Sequence, residues 1–184
     1  MYQKARDPWI RSKEIYKDRV NAIAHFSNLP GFELYGKGWD QRIPGFPKSY
    51  HLAAKKIYKG VIAPSEKLAV LNRFKFALCF ENCVFPGYVT EKIFDCFLAG
   101  CIPIYFGAPD IRKFVPQDAF IDFTEFADFT SLEAYITSLP ESKARKILDA
   151  GKSFLNSPQF ENHLDGKIVA GIYDKVKAFE SGIL

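Results

Sequence analysis

Several chemistries are argued against by what this sequence does not contain. Its four cysteines include no CxxC pair, and its three histidines stand far apart, at positions 25, 51 and 163. The ligand set of a structural zinc site is therefore missing. No arginine-rich stripe and no recognisable nucleic-acid module occurs, so nucleic acid is not an expected partner. No apolar run approaches the roughly 20 residues that a membrane-spanning helix needs. No secretory leader and no N-x-S/T sequon is visible, and a reduced cytoplasmic location is the expectation. The phosphate-binding patterns GxxxxGK(S/T) and GxGxxG are absent. Asp110, Asp118, Asp122 and Asp128 are spread out, not paired as a DxD metal site, and no Ser–His–Asp or Cys–His nucleophile pattern is apparent.

What is present suits a folded α/β protein. A chain of 184 residues can bury one good core, and a single domain over 1–184 is expected. Aromatic content is high, chiefly through eighteen Phe and nine Tyr. The net charge of +4 is compatible with an anionic ligand or an anionic membrane surface and requires neither. Cys79, Cys96 and Cys101 sit in apolar runs and read as small core residues, while Cys83 falls in a loop.

After a lead-in of ten residues, spacing predicts a helix over 14–26, with Ile15, Ala22, Ile23 and Phe26 on one stripe. A short strand over 32–35 follows, then an irregular basic stretch over 40–63 with a short helix near 50–57. Its Lys48, Lys55, Lys56 and Lys59 read most simply as a solvated face. Ser65 is placed to cap the next helix, which would bury Leu68 and Leu71. The nearly continuous apolar run at 74–80 suits a strand covered on both faces. A helix over 88–99 should end at Gly100, and strands are expected at 101–106 and 119–123. Pro103 predicts only partial pairing in the first of these. Helical patterns follow at 131–138, 141–155 and 165–179. The alternation argues for a Rossmann-like parallel sheet with helices on both faces, and places residues 82–92 at its carboxyl edge, where open α/β folds bind ligands.

That edge holds the candidate site. Lys92 lies in the first turn of its helix, where the dipole is already positive, so a negative group is expected opposite it. Free amides at a helix start make an anion site. Thr90 is a candidate N-cap, Glu91 can accept bonds from a sugar diol, and Tyr88 offers a ring and a hydroxyl. Phosphate plus ribose would use all of them; a capped helix with solvated Glu91 and Lys92 would equally give this spacing. Arg19 falls on the apolar stripe of the 14–26 helix, which is unusual for a guanidinium. A bidentate phosphate contact would explain it, as would a salt bridge or a side chain reaching out to water.

The segments KFALCFEN (75–82) and GYVTEKIFDCFLAGCIPIYFGAP (87–109) form one long ordered pattern. It resembles the signature of the α1,3/α1,4-fucosyltransferases, glycosyltransferase family ten. EIYKDRVNAIAHF (14–26) and FELYGKGWD (32–40) are similar to the upstream part of bacterial members. The resemblance implies the donor half of a GT-B architecture, two Rossmann-like domains facing across a cleft, of which the C-terminal one binds GDP-fucose. It implies that Arg19 and Lys92 hold the diphosphate and that Glu91 bonds ribose or fucose hydroxyls. Asn82, Tyr88 and Thr90 would line or shape the same site. The reaction implied is inverting transfer of fucose to a GlcNAc-containing glycan, with GDP-fucose as donor substrate and no cofactor or essential metal. The family's catalytic base is a carboxylate of an N-terminal acceptor domain, which this chain is expected to lack, so no catalytic residue is assigned. The acceptor would be met through that missing domain, and the full-length enzyme would associate peripherally with the inner face of a membrane. Two further readings stay open: a nucleotide-sugar-binding module without catalysis, and a transferase using another nucleotide sugar.

Overall fold

The computed structural model describes residues 15–42 and 45–163. The chain divides into two compact units, Met1–Pro64 and Ser65–Leu184. The lead-in and the helix expected at 165–179 lie outside the described residues.

In the first unit, helix α1 (Tyr16–Phe26) buries Ala22, Ile23 and Phe26 of the predicted stripe, Ile15 of that stripe is buried at the N-cap position, and Val20 is buried without having been expected. Its Val20 and Ile23 pack on Ala54 and Ile57 of helix α2 (Lys48–Ile57). Strand β1 (Leu34–Tyr35) pairs in parallel with β2 (Tyr58–Gly60). The second of these strands was not expected, because Tyr58-Lys59-Gly60 continues from α2 with no breaker until its last residue. The four lysines at 48, 55, 56 and 59 are exposed, as a solvated face requires.

In the second unit Ser65 does not cap a helix. Pro64 opens a 3-10 turn (Pro64–Glu66), so helix α3 (Lys67–Leu71) starts later, with Glu66 at the N-cap position. Strand β3 (Phe76–Phe80), helix α4 (Glu91–Ala99) and strand β4 (Ile102–Phe106) follow. Gly100, left-handed at φ 69°, ends α4 as expected, and Asn72 Nδ2 donates to the carbonyl of Ala99 at 2.7 Å. Strand β5 (Ile121–Asp122) completes a parallel sheet ordered β3-β4-β5.

Pro103 therefore sits in the central strand. The Ile102 N–H donates toward the β3 side, to Lys75 O at 2.9 Å. Alternation then turns the Pro103 nitrogen to the β5 side, where pairing begins only at Ile104. The missing donor falls where no partner strand needs it, and the β3 ladder runs unbroken through Ala77 and Pro103.

The two faces of the sheet carry different cores. Cys79 and Tyr105 join Ile93, Phe94, Phe97 and Phe154 in one cluster beneath α4 and helix α6 (Glu141–Leu155). On the other side Phe80 meets Phe106 at 5.5 Å and Phe123 at 5.3 Å, and Phe123 stacks on Phe129 at 4.8 Å. Phe129 opens helix α5 (Phe129–Ser138), which Asp128 and Ser131 start with a reciprocal capping box. Helix α7 (Pro158–His163) adds Phe160 to the first core. The sheet is thus covered on both faces, and the α/β, Rossmann-like expectation holds.

Candidate functional site

The loop after β3 is tied down at several points. The Glu81 N–H donates to Phe106 O at 2.8 Å, fixing the end of β3 to the end of β4. Gly87 N–H donates to Asp110 Oδ1 at 2.7 Å. Asn82 Nδ2 donates to the Tyr88 hydroxyl at 3.2 Å. The Tyr105 hydroxyl accepts from Ala108 N–H at 3.0 Å and reaches Tyr88 O at 3.5 Å. Burial pushes the Tyr105 phenol well above its ordinary value, so it stays protonated and donates. Burial and the Glu81 charge likewise raise the Cys83 thiol, against the pull of Lys92, which keeps it protonated.

Glu81 is the pivot of this loop. Its side chain is 0% exposed, at the end of an apolar strand. It accepts from Thr90 N–H at 2.8 Å, from the Thr90 hydroxyl at 2.8 and 3.0 Å, and from Lys92 Nζ at 2.8 Å. Lys92 Nζ also donates to Thr90 Oγ1 at 2.7 Å. The negative group that the position of Lys92 calls for is thus supplied by the chain itself. A buried carboxylate is tolerated only with such a full set of donors, one of them charged. The Lys92 side chain is still 25% exposed, and an ammonium has three N–H groups, of which two are used here.

Thr90 occupies the N-cap position of α4 with extended backbone, as the sequence suggests, but its hydroxyl caps nothing. Glu81 and Lys92 hold that hydroxyl away from the helix. The Thr90 side chain therefore caps none of the helix-start amides; the Thr90 N–H is taken by Glu81 and the Glu91 N–H by the Glu91 carboxyl, at the positive end of the helix dipole. Glu91 follows, with its side chain 45% exposed and 3.8 Å from Lys67 Nζ. Burial works to raise its carboxyl, yet the neighbouring charges of Lys92 and Lys67, its own backbone N–H and the Thr90 side chain hold it below the usual range. Lys67 also pairs at 2.6 Å with Asp95, which is fully buried. Burial alone would lower the Lys67 ammonium; the bond and charge of Asp95 raise it instead.

The structure therefore gathers Asn82 with Tyr88, and Thr90 with Lys92, along one loop and helix start of the second unit, with Glu91 between the latter two. Arg19 lies on α1 of the first unit, half-buried. The residue that sequence reasoning missed is Glu81. The signal was available: a carboxylate directly after FALCF is as anomalous as an arginine on an apolar stripe. Of the four cysteines, Cys79, Cys96 and Cys101 are buried, with Cys79 Sγ 3.2 Å from Cys96 Sγ. Contacts from Cys101 and Cys79, together with burial, push the Cys96 thiol well above its ordinary value. Among the described residues no group of three or more His, Cys, Asp or Glu is arranged to hold a metal ion.

A parallel α/β sheet covered by helices on both faces, with residues 82–92 at its carboxyl edge, defines a Rossmann-like fold. Comparison with known proteins narrows the class. Residues 6–147 match the family described as glycosyltransferase family 10 (fucosyltransferase), C-terminal part, and the chain belongs to that family. It is 41% identical over 69 residues to an alpha-(1,4)-fucosyltransferase of Arabidopsis thaliana, covering 38% of this chain and 17% of the relative. It is 41% identical over 73 residues to an alpha-(1,3)-fucosyltransferase of Helicobacter pylori, covering 40% of this chain and 15% of the relative. A crystal structure of an alpha1,3-fucosyltransferase with GDP superposes with a TM-score of 0.51 at 27% identity, over 71% of this chain and 34% of that one. The matched part is thus a fraction of each relative's length.

Proposed function

We propose that this chain is the donor-binding part of an inverting fucosyltransferase, which takes fucose from GDP-fucose to a GlcNAc-containing glycan. The observation that carries the reading is the start of α4, where the N-cap side chain of Thr90 makes no cap bond to the helix, with Lys92 in the first turn and Glu91 next to it. The likeness to a fucosyltransferase crystallised with GDP supports it. In this reading the amides and Lys92 take the diphosphate, and Glu91 takes ribose or fucose hydroxyls. Asn82 and Tyr88, linked to each other, line the same edge. Arg19 enters from the sequence resemblance alone, as a second diphosphate cation. As the glycosidic bond breaks, charge builds on the departing GDP, and fixed cations and amides stabilise it. None of the described residues is assigned the role of general base.

Calorimetry on the 184-residue chain tests the reading. GDP and GDP-fucose should bind, ahead of GDP-mannose and UDP-sugars, and Arg19→Ala or Lys92→Ala should cost about 2–5 kcal/mol of that affinity. Equal binding by Lys92→Ala and the parent removes Lys92 from the site. Preference for another nucleotide sugar reassigns the donor. A fucose-release assay with acceptor present separates a donor part needing its acceptor domain, which binds without turnover, from a self-sufficient enzyme.

A further inference from the structure

We infer that Glu81 is a positioning residue that keeps the start of α4 open for a diphosphate. It does so by holding the Thr90 hydroxyl and the Lys92 ammonium in one preset arrangement. This rests on the donor-site reading above and adds to it a buried residue that touches no ligand.

A threonine at an N-cap normally turns its hydroxyl oxygen onto a backbone N–H of the first turn. Thr90 does not, although it has the position and the extended backbone for it. Its hydroxyl is engaged with both Glu81 oxygens, at 3.0 and 2.8 Å, and accepts from Lys92 at 2.7 Å. Its N–H is engaged with Glu81 as well, at 2.8 Å. One carboxylate therefore takes the Thr90 amide itself and keeps the Thr90 hydroxyl off the next amides of the first turn, those of Lys92 and Ile93, which an N-cap hydroxyl would otherwise occupy in competition with an anion. The same carboxylate fixes Lys92, a side chain with large rotamer freedom, before any ligand arrives. Ordering such a side chain in advance cuts the entropic cost of binding.

Two neighbours support this arrangement. Glu81 is anchored through its own N–H to Phe106 O at 2.8 Å, so its position is set by the sheet and not by the loop. Gly107 leaves the space that the Glu81 stem fills. A carboxylate needed only to balance Lys92 would not need to reach Thr90 at three points. The orientation of the hydroxyl is what distinguishes a preset anion site from a simple buried ion pair.

The test compares GDP with GMP by calorimetry on the full chain. Glu81→Gln, nearly isosteric, should lower GDP affinity roughly tenfold, the scale of one immobilised side chain, with a smaller effect on GMP. The double variant Glu81→Gln/Lys92→Ala should bind GDP no more weakly than Lys92→Ala, because Glu81 acts through Lys92. Thr90→Val should reproduce the loss, and Thr90→Ser, which returns the hydroxyl, should restore affinity; this pair carries the test if Glu81→Gln fails to fold. Unchanged or tighter GDP binding by Glu81→Gln overturns the inference, as do equal losses for GDP and GMP or additive losses in the double variant. If the parent binds no GDP, it is the donor reading that fails. Acylation by acetic anhydride, mapped by mass spectrometry, then still decides the role of Glu81. Losing its carboxylate partner should make Lys92 react faster relative to Lys67, and an unchanged ratio overturns the inference.

Discussion

Gly107 faces Glu81 so closely that no side chain fits between them. A Cβ at position 107 would stand 2.5 Å from Cγ of Glu81, and 2.8 Å from both its Cβ and the Tyr105 hydroxyl oxygen. Neither neighbour can give way, since Glu81 and Tyr105 are both buried and hydrogen-bonded. Gly107→Ala should therefore destabilise the second unit by about 1–3 kcal/mol, the usual cost of overpacking. A shift of the urea midpoint at constant slope would show it, and an unshifted midpoint would mean the loop relaxes freely.

The Glu81–Lys92 pair predicts a pattern across single and double variants. Lys92→Met leaves a fully buried carboxylate with the Thr90 groups as its remaining donors. Breaking a fully buried pair costs about 3–5 kcal/mol, and the partial exposure of Lys92 reduces that to roughly 2–3 kcal/mol. Glu81→Gln/Lys92→Met, with no charge left to strand, should regain most of the loss. Denaturant titrations of the parent and the variants would measure the cycle, and strict additivity would refute the pairing.

Gly151 sets up an inversion of ordinary helix preference. In the middle of a helix, Ala is better than Gly by about 1 kcal/mol. A Cβ at Gly151 would, however, lie 2.7 Å from Cδ1 of Phe97, whose ring is buried against Phe154 at 6.1 Å. Gly151→Ala should lower the melting temperature, and adding Phe97→Leu should recover part of it. A higher melting temperature for the single variant would show that α6 can shift off α4.

Glu91 gives the protein a pH-dependent term of known sign. Its folded carboxyl is held below the usual range. The stability it contributes is therefore fully present above the unfolded value of about 4.3, and is lost as pH falls through the folded value. Because the side chain is nearly half exposed, the term should stay below about 1 kcal/mol. The difference in unfolding free energy between parent and Glu91→Gln, measured at pH 7 and again near pH 3, should shrink on acidification. A difference that grows would reverse the sign assigned here.

The sheet was legible because its strands are short apolar runs between breakers, and 141–155 was readable to the residue because Pro140 and Asn156 bracket a periodic stretch. The helix of α4 was expected three residues too early, at Tyr88. Helical spacing continues through Tyr88 and Val89, but those residues are held by loop bonds and by Tyr105. At the site, residue types marked Asn82, Tyr88, Thr90, Glu91 and Lys92. The role of Glu81 depends on a contact across nine to eleven positions that no local pattern encodes. Pro103 in a central strand was hard to foresee for a related reason. Whether its missing donor matters depends on where β5 begins, which is a property of the neighbouring strand.

The burial of Cys79, Cys96 and Cys101 has a practical consequence. A thiol-specific dye under native conditions should modify Cys83 alone, and all four sites once the chain unfolds. The number of dye molecules taken up per chain then reports the integrity of the second unit with no substrate at all. Every variant above can be checked for correct folding on that scale before its ligand affinity is interpreted.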